Sequence, residues 1–261
     1  MDYTDILYAV EDSTAIITIN RPDRYNSFRG RTVEELINAL QRAWVDQKVA
    51  CVILTGAGSK AFCTGGDQKE YVETGGYGTS ANGLWEVETL QNTIRDIPKP
   101  VIAAVNGFAI GGGHVLHVLC DLTIASDNAR FGQAGPRVGS FDAGWGTALL
   151  TRIVGEKKAR EIWFLCRQYT AEEAKEMGLV NKIVPQAQLM TEAKGWAAEI
   201  AALSPTAIKF LKYSFNADSA HAYGTTKMAM AALDGFGHTE EAMEGKRAFV
   251  EKRKPDFSPF R

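Results

Sequence analysis

The chain has 261 residues, 45% of them hydrophobic and 23% charged, with a formal net charge of −2. Such a length and apolar share describe one large globular domain, or one domain with a small appendage, and exclude a disordered chain. The balance of 29 basic against 31 acidic residues argues against nucleic acid as a partner, since phosphate recognition needs a basic face. No apolar run approaches the roughly 20 residues of a membrane span. Lys252, Arg253 and Lys254 are too short a run to alter this and read as a solvated tail. The first dozen residues carry acids where a secretion signal needs a basic and then an apolar stretch. Cys51, Cys63, Cys120 and Cys166 lie far apart among apolar neighbours, with no C-x-x-C, and read as buried thiols of a cytoplasmic protein.

In chain order, 5–10 and 14–20 predict a hairpin about Glu11-Asp12-Ser13. Arg21-Pro22-Asp23 breaks the second strand. Thr32, with Glu35 three residues on, has capping-box spacing and opens a helix with Val33, Leu36, Ile37, Leu40 and Trp44 on its inner face. Residues 50–55 form an apolar strand that stops at Gly56. A helix over 85–95, the breakers Pro98 and Pro100, and a strand over 101–105 repeat the theme, followed by a helix over 114–120 and a strand over 122–125. Strands alternating with helices predict an α/β fold with a mostly parallel sheet under helices. Beyond about residue 145 the pattern is helical, over 145–154, 157–165, 171–177, 188–202, 205–216 and 239–252, with one short strand over 180–184. No strict sequence repeat is visible. The glycine-rich segment 74–83 reads equally as a mobile lid and as a plain surface loop.

Two glycine clusters follow apolar segments, Cys63-Thr64-Gly65-Gly66-Asp67 and Ile110-Gly111-Gly112-Gly113-His114. Three glycines opening a helix are costly in backbone entropy, and they make sense where bare amides must approach a ligand. Two such amides, one at a helix N-terminus, would form an oxyanion hole. Gly56-Ala57-Gly58-Ser59-Lys60-Ala61 fits a loose dinucleotide fingerprint, but no amphipathic helix follows it. His114 and His117 lack a third metal ligand and read as core or interface residues.

Together with Asn20-Arg21-Pro22, Ala61-Phe62, Pro98-Lys99-Pro100-Val101-Ile102-Ala103 and Gly107-Phe108-Ala109, these clusters give a chain that resembles the crotonase (enoyl-CoA hydratase/isomerase) superfamily along nearly its whole length. The resemblance implies a ββα spiral core over residues 1–200 and a C-terminal helical trimerisation region over 201–261. It implies an acyl-CoA substrate whose thioester enolate is held by the amides of Gly66 and Gly112. Arg24 of the segment 21–24, with Phe249 and Lys252 contributed by a neighbouring subunit, would take the coenzyme A nucleotide. The partner implied is a second copy of the chain, in a trimer or a dimer of trimers.

Where hydratases of this superfamily carry two glutamates, this chain has Val115 and Gly135, neither of which moves a proton. The stretches 114–117, 131–146 and 155–169 are instead similar to the 1,4-dihydroxy-2-naphthoyl-CoA synthases, which close a ring in menaquinone synthesis. That likeness implies that Ser140 and Asp142 work on the substrate's keto or carboxyl oxygen, and that Tyr77 orients substrate from a mobile loop. It also implies that Gln133, Gly135 and Trp163 hold bicarbonate as an external base. The same family has a tyrosine where this chain has Gly237; Tyr223 is the nearest in sequence. Ser27–Gly30, Cys63–Gly65 and 213–221 are more similar to the 2-ketocyclohexanecarboxyl-CoA hydrolases, which open a ring by retro-Claisen hydrolysis. A non-catalytic acyl-CoA binder is the alternative outside enzymes.

Overall fold

The computed structural model describes residues 2–261. β1 (Ile6–Glu11) and β2 (Thr14–Ile19) form the expected antiparallel hairpin. Asp12 and Ser13 between them both have positive φ, 43° and 65°, the two-residue turn whose twist suits the flanking strands. α1 (Gly30–Val45) opens earlier than predicted, with Arg29 as its cap. Thr32 lies inside the first turn, where its hydroxyl accepts from the Arg29 amide and donates to Asp5 at 2.7 Å. Glu35 is equally diverted. Buried beneath the first strand, it accepts from the amides of Thr4, Asp5 and Ile6 at 2.8–3.1 Å. Glu35→Ala strands these donors, so urea unfolding should show a loss of about 2–4 kcal/mol, the penalty for unpaired groups that had faced a charge.

The chain then makes one move three times: a strand in a six-stranded sheet, a short strand in a four-stranded sheet, and then helix. The first pass is β3 (Cys51–Gly56), β4 (Ala61–Cys63), α2 (Gln68–Thr74) and α3 (Val87–Asp96). The second is β5 (Val101–Val105), β6 (Phe108–Ile110) and α4 (Gly112–Leu119), and the third is β7 (Leu122–Ser126), β8 (Arg130–Gly132) and α5 (Trp145–Val154). α6 (Glu156–Leu165), β9 (Gln168–Thr170), α7 (Ala171–Glu176) and β10 (Lys182–Val184) complete both sheets. Their orders are β1-β2-β3-β5-β7-β10 and β4-β6-β8-β9, parallel throughout except at β1–β2 and β8–β9. The expected ββα spiral is therefore present.

The central strands read as unbroken apolar runs because both faces are covered. Val52, Leu54, Val101 and Ala103 join the main core with α1 and α3. The alternate residues Cys51, Ile53, Ile102 and Ala104 pack on Leu189, Ala193 and Ala197 of α8 (Leu189–Ala201).

α9 (Pro205–Ala217), α10 (Ala222–Gly237) and α11 (Glu240–Val250) follow. α10 was not predicted, and its composition explains why: glycines at 224, 235 and 237 and paired threonines are poor helix formers. Contacts with α3, α5 and α11 hold it. Ala222 at the start of α10 belongs to the main core. Phe210, Leu211 and Phe215 of α9 are 62%, 57% and 78% exposed. Among the described residues, no helix is long and apolar enough to cross a membrane.

Candidate active site

β4 and β6 are parallel neighbours, so their C-terminal ends lie side by side and so do the two glycine turns that leave them. Gly65 and Gly111 have φ of +82° and +58°, and a Cβ on Gly65 would stand 2.8 Å from the Gly112 nitrogen. The neighbouring amides are bonded: Phe28 N–H to Gly65 O at 2.8 Å, Asp67 N–H to Phe28 O at 2.9 Å, Gly111 N–H to Gly132 O at 3.0 Å. The amides of Gly66 and Gly112 find no acceptor among the described residues. Gly112 also opens α4, where the helix dipole favours negative charge.

These turns form one wall of a cavity of about 660 Å³, within the usual range for a small-molecule site. Every site residue expected from the sequence lines it: Gly66, Gly112, Ser140, Asp142, Tyr77, Gln133, Gly135, Trp163, Arg24, Phe249 and Lys252. Arg24, Phe249 near the end of α11 and Lys252 just past it all line the cavity within one chain. Arg21 has a different task from Arg24. It is tied to Asp67 at 2.9 Å and Glu70 at 3.6 Å, fixing the first glycine turn from behind.

The loop 74–83 is folded over the first turn. Tyr77 accepts from the Gly30 amide through its carbonyl (2.7 Å), and its ring stacks on Trp85 (5.1 Å) and meets Tyr71 edge-on (4.8 Å). Its hydroxyl accepts from Gln68 Nε2 at 2.9 Å, leaving its own proton to donate. Burial pushes the phenol up to about 12, so it stays neutral at physiological pH.

On the opposite wall, the loop after β8 doubles back, with Ser140 N–H bonded to Gly135 O at 2.8 Å. Gly135 is required here, because a Cβ would lie 2.7 Å from the Ser140 carbonyl oxygen. Asp142 Oδ1 accepts from the Gly144 and Gly146 amides at 3.1 Å each, and Oδ2 from Gln91 Nε2 at 2.9 Å. Burial raises the Asp142 pKa against these three bonds.

Four buried polar atoms of the cavity wall lack any partner among the described residues: Oε1 of Gln68, Gln91 and Gln133, and Nε1 of Trp163. Buried polar groups are ordinarily paired, so a ligand is the natural source of partners. Gln133 Nε2 lies 3.4 Å from His114 Nδ1, and a half-turn of the carboxamide would leave its N–H free instead. With the Trp163 indole and the Gly135 amide, that makes a donor set suited to a small oxyanion. His114 and His117 are buried behind it and edge-to-face at 4.7 Å. Burial takes His114 down to about 3 and His117 well below its usual value, so both stay uncharged.

Tyr223 is half-exposed and is not the tyrosine nearest Gly237. Tyr71 of α2 is, donating to the Gly237 carbonyl at 2.8 Å. A Cβ at 237 would stand 2.9 Å from that hydroxyl. Lys246, buried without a carboxylate, lies over the Tyr71 ring at 4.4 Å, and burial lowers it to about 8. Sequence reasoning missed Gln68, Gln91, Tyr71 and Lys246. A glutamine after G-G-D was the only one with a local signal.

Fold and site together define a two-sheet spiral enzyme class with paired glycine amides over an acyl cavity. The sequence model for enoyl-CoA hydratase/isomerase matches residues 9–259, and the chain belongs to that family. Among solved structures, an enoyl-CoA hydratase/isomerase from Pseudoalteromonas atlantica T6c is 26% identical, with a TM-score of 0.88 over 98% of this chain and 100% of that one. A carnitinyl-CoA hydratase from Mycobacterium avium is 31% identical, with a TM-score of 0.82 over 98% of each chain. An enoyl-CoA hydratase from Bacillus anthracis is 33% identical, with a TM-score of 0.75 over 97% of this chain and 98% of that one.

Proposed function

We propose that the protein forms a thioester enolate on an acyl-CoA and uses it to make a carbon–carbon bond, cyclising o-succinylbenzoyl-CoA to 1,4-dihydroxy-2-naphthoyl-CoA for menaquinone synthesis. The supporting observation is the slot at Gly135. The Ser140 backbone leaves no room there for the glutamate of a hydratase, while Trp163 Nε1 and Gln133 Oε1, of the same cavity, have no partners among the described residues.

In this reading the Gly66 and Gly112 amides donate to the thioester oxygen as its negative charge grows. Donors aimed at developing charge strengthen in the transition state, which is what raises kcat. The neutral Tyr77 phenol closes over the same group. Gln133, the Gly135 amide and Trp163 would hold bicarbonate, which supplies a base in place of the absent carboxylate. Ser140 and Asp142 bind and polarise the carboxyl-derived oxygen, and Asp142 holds the proton that leaves with it as water. Arg24 and Lys252 flank the coenzyme A phosphates, and Phe249 the adenine. The exposed apolar face of α9 is proposed to be buried between copies in a trimer or a dimer of trimers. The four free, buried thiols fit a reducing, cytoplasmic setting.

A second reading, ring opening of 2-ketocyclohexanecarboxyl-CoA, is favoured by Gly237: no phenol stands at that position of α10, and the Tyr71 hydroxyl lies 2.9 Å from where its Cβ would be. Here water attacks the ring ketone, the ring bond breaks, and the same amides receive the departing enolate. Product mass separates the two. Incubation with o-succinylbenzoyl-CoA should give loss of one water, dependent on added bicarbonate. Gain of one water by the cyclic ketone would establish the hydrolase instead. Trp163→Phe, which removes one anion donor, should raise the bicarbonate needed for half-maximal turnover about tenfold, the worth of one charge-assisted hydrogen bond.

A further inference from the structure

Gln91 of α3 is 3% exposed, lies beside Asp142, and has one amide atom bonded and the other free. Its position is rigid. The next residue, Asn92, accepts from the Trp145 indole at 2.8 Å, which ties α3 to the first turn of α5. Among the described residues, Asp142 has no charged neighbour. The groups facing it are the Gln91 carboxamide from α3, the Gly144 and Gly146 amides at the start of α5, and apolar Val115 from α4. Its Oδ1 is occupied by two backbone donors whatever its charge, so Oδ2 is the oxygen that can gain and lose a proton.

We propose that Gln91 is a positioning residue that acts through Asp142, its carboxamide serving the carboxylate as a donor and the carboxylic acid as an acceptor. With Asp142 ionised, Gln91 Nε2 donates to Oδ2, as observed at 2.9 Å. When Oδ2 takes a proton from the oxygen it serves, that oxygen is left as the anion, and a half-turn of the Gln91 amide lets Oε1 accept the new O–H. In either orientation the second amide atom remains free at the cavity wall, offering an acceptor in one state and a donor in the other. A carboxamide can do both without changing its own charge. The inference rests on Asp142 holding a proton during the reaction proposed above.

The test is the titration of Asp142 in the free, full-length protein, followed by carboxyl carbon NMR, the resonance being the one absent from Asp142→Asn. Wild type should titrate above ordinary aspartates. Gln91→Leu removes the donor to the carboxylate and should move the midpoint up by about one pH unit. Gln91→Glu, nearly isosteric, sets a second carboxyl against the first and should split the titration into two steps, the upper one well above wild type. With either ring substrate, the pH dependence of kcat should move in step with the resonance while KM stays within about twofold. An Asp142 midpoint unchanged in both variants overturns the proposal, as does a shifted midpoint with an unshifted kcat profile. If neither substrate turns over but the midpoint moves as stated, the reaction reading fails and the coupling of Gln91 to Asp142 stands.

Discussion

Asp142→Asn should lower kcat by roughly 100- to 10,000-fold, the usual worth of a positioned acid–base group, while leaving acyl-CoA binding and the fold intact. Asparagine keeps an oxygen for the Gly144 and Gly146 amides, and its nitrogen can face a turned Gln91, so no hydrogen bond need be lost. It cannot carry a proton between states. Stability supplies a control with a definite sign. Burial raises the Asp142 pKa, so the fold favours the protonated form, and stability falls as pH rises from the ordinary aspartate range through the native value. The asparagine variant has no such loss and should be at least as stable as wild type at neutral pH in chemical denaturation. Wild-type turnover in this variant would remove Asp142 from the reaction.

Gly66→Ala carries the second large effect, roughly 100- to 1,000-fold in kcat, the loss that follows removal of one oxyanion donor. A Cβ there would stand 2.6 Å from the Tyr77 ring and 3.0 Å from its hydroxyl, so one methyl group disturbs the amide and the phenol together. Removing the phenol as well, in Gly66→Ala/Tyr77→Ala, should relieve the collision without restoring rate. Steady-state kinetics with whichever ring substrate turns over, alongside a thermal melt, separates the two causes. Recovery of rate in the double variant would mean that the collision with the phenol, and not displacement of the amide, caused the loss.

Much of this site was legible because its chemistry is carried by glycine, which is hard to justify by packing. Gly66, Gly112 and Gly135 each sit where an added Cβ would meet another group at under 3.0 Å. The parallel sheet was legible because β3 and β5, buried on both faces, cannot avoid continuous apolar sequence. The threefold strand–strand–helix repeat was not, since β4, β6 and β8 have three residues each, too few to show a period. Thr32 and Glu35 misled for a physical reason. Thr32 serves the cap from the third helical position, accepting from Arg29, while its proton and the Glu35 carboxylate go to partners distant in sequence, at 4–6. Gln91 and Tyr71 were invisible because a polar or aromatic residue on a helix says nothing by itself about which neighbour the fold will bring to it.

Arg24, just after the first hairpin, and Lys252, just past the last α-helix, line the same cavity. A ligand that touches both fastens the early and late parts of the chain to each other like a clasp. Occupancy therefore reports on completion of the entire molecule: a chain still emerging from the ribosome, or one clipped before α11, lacks a wall of its own binding site. Ligand at a hundred times its dissociation constant would add about 2.7 kcal/mol to the finished fold alone. Supply of substrate would then set how long each copy survives proteolysis, as well as how fast it works.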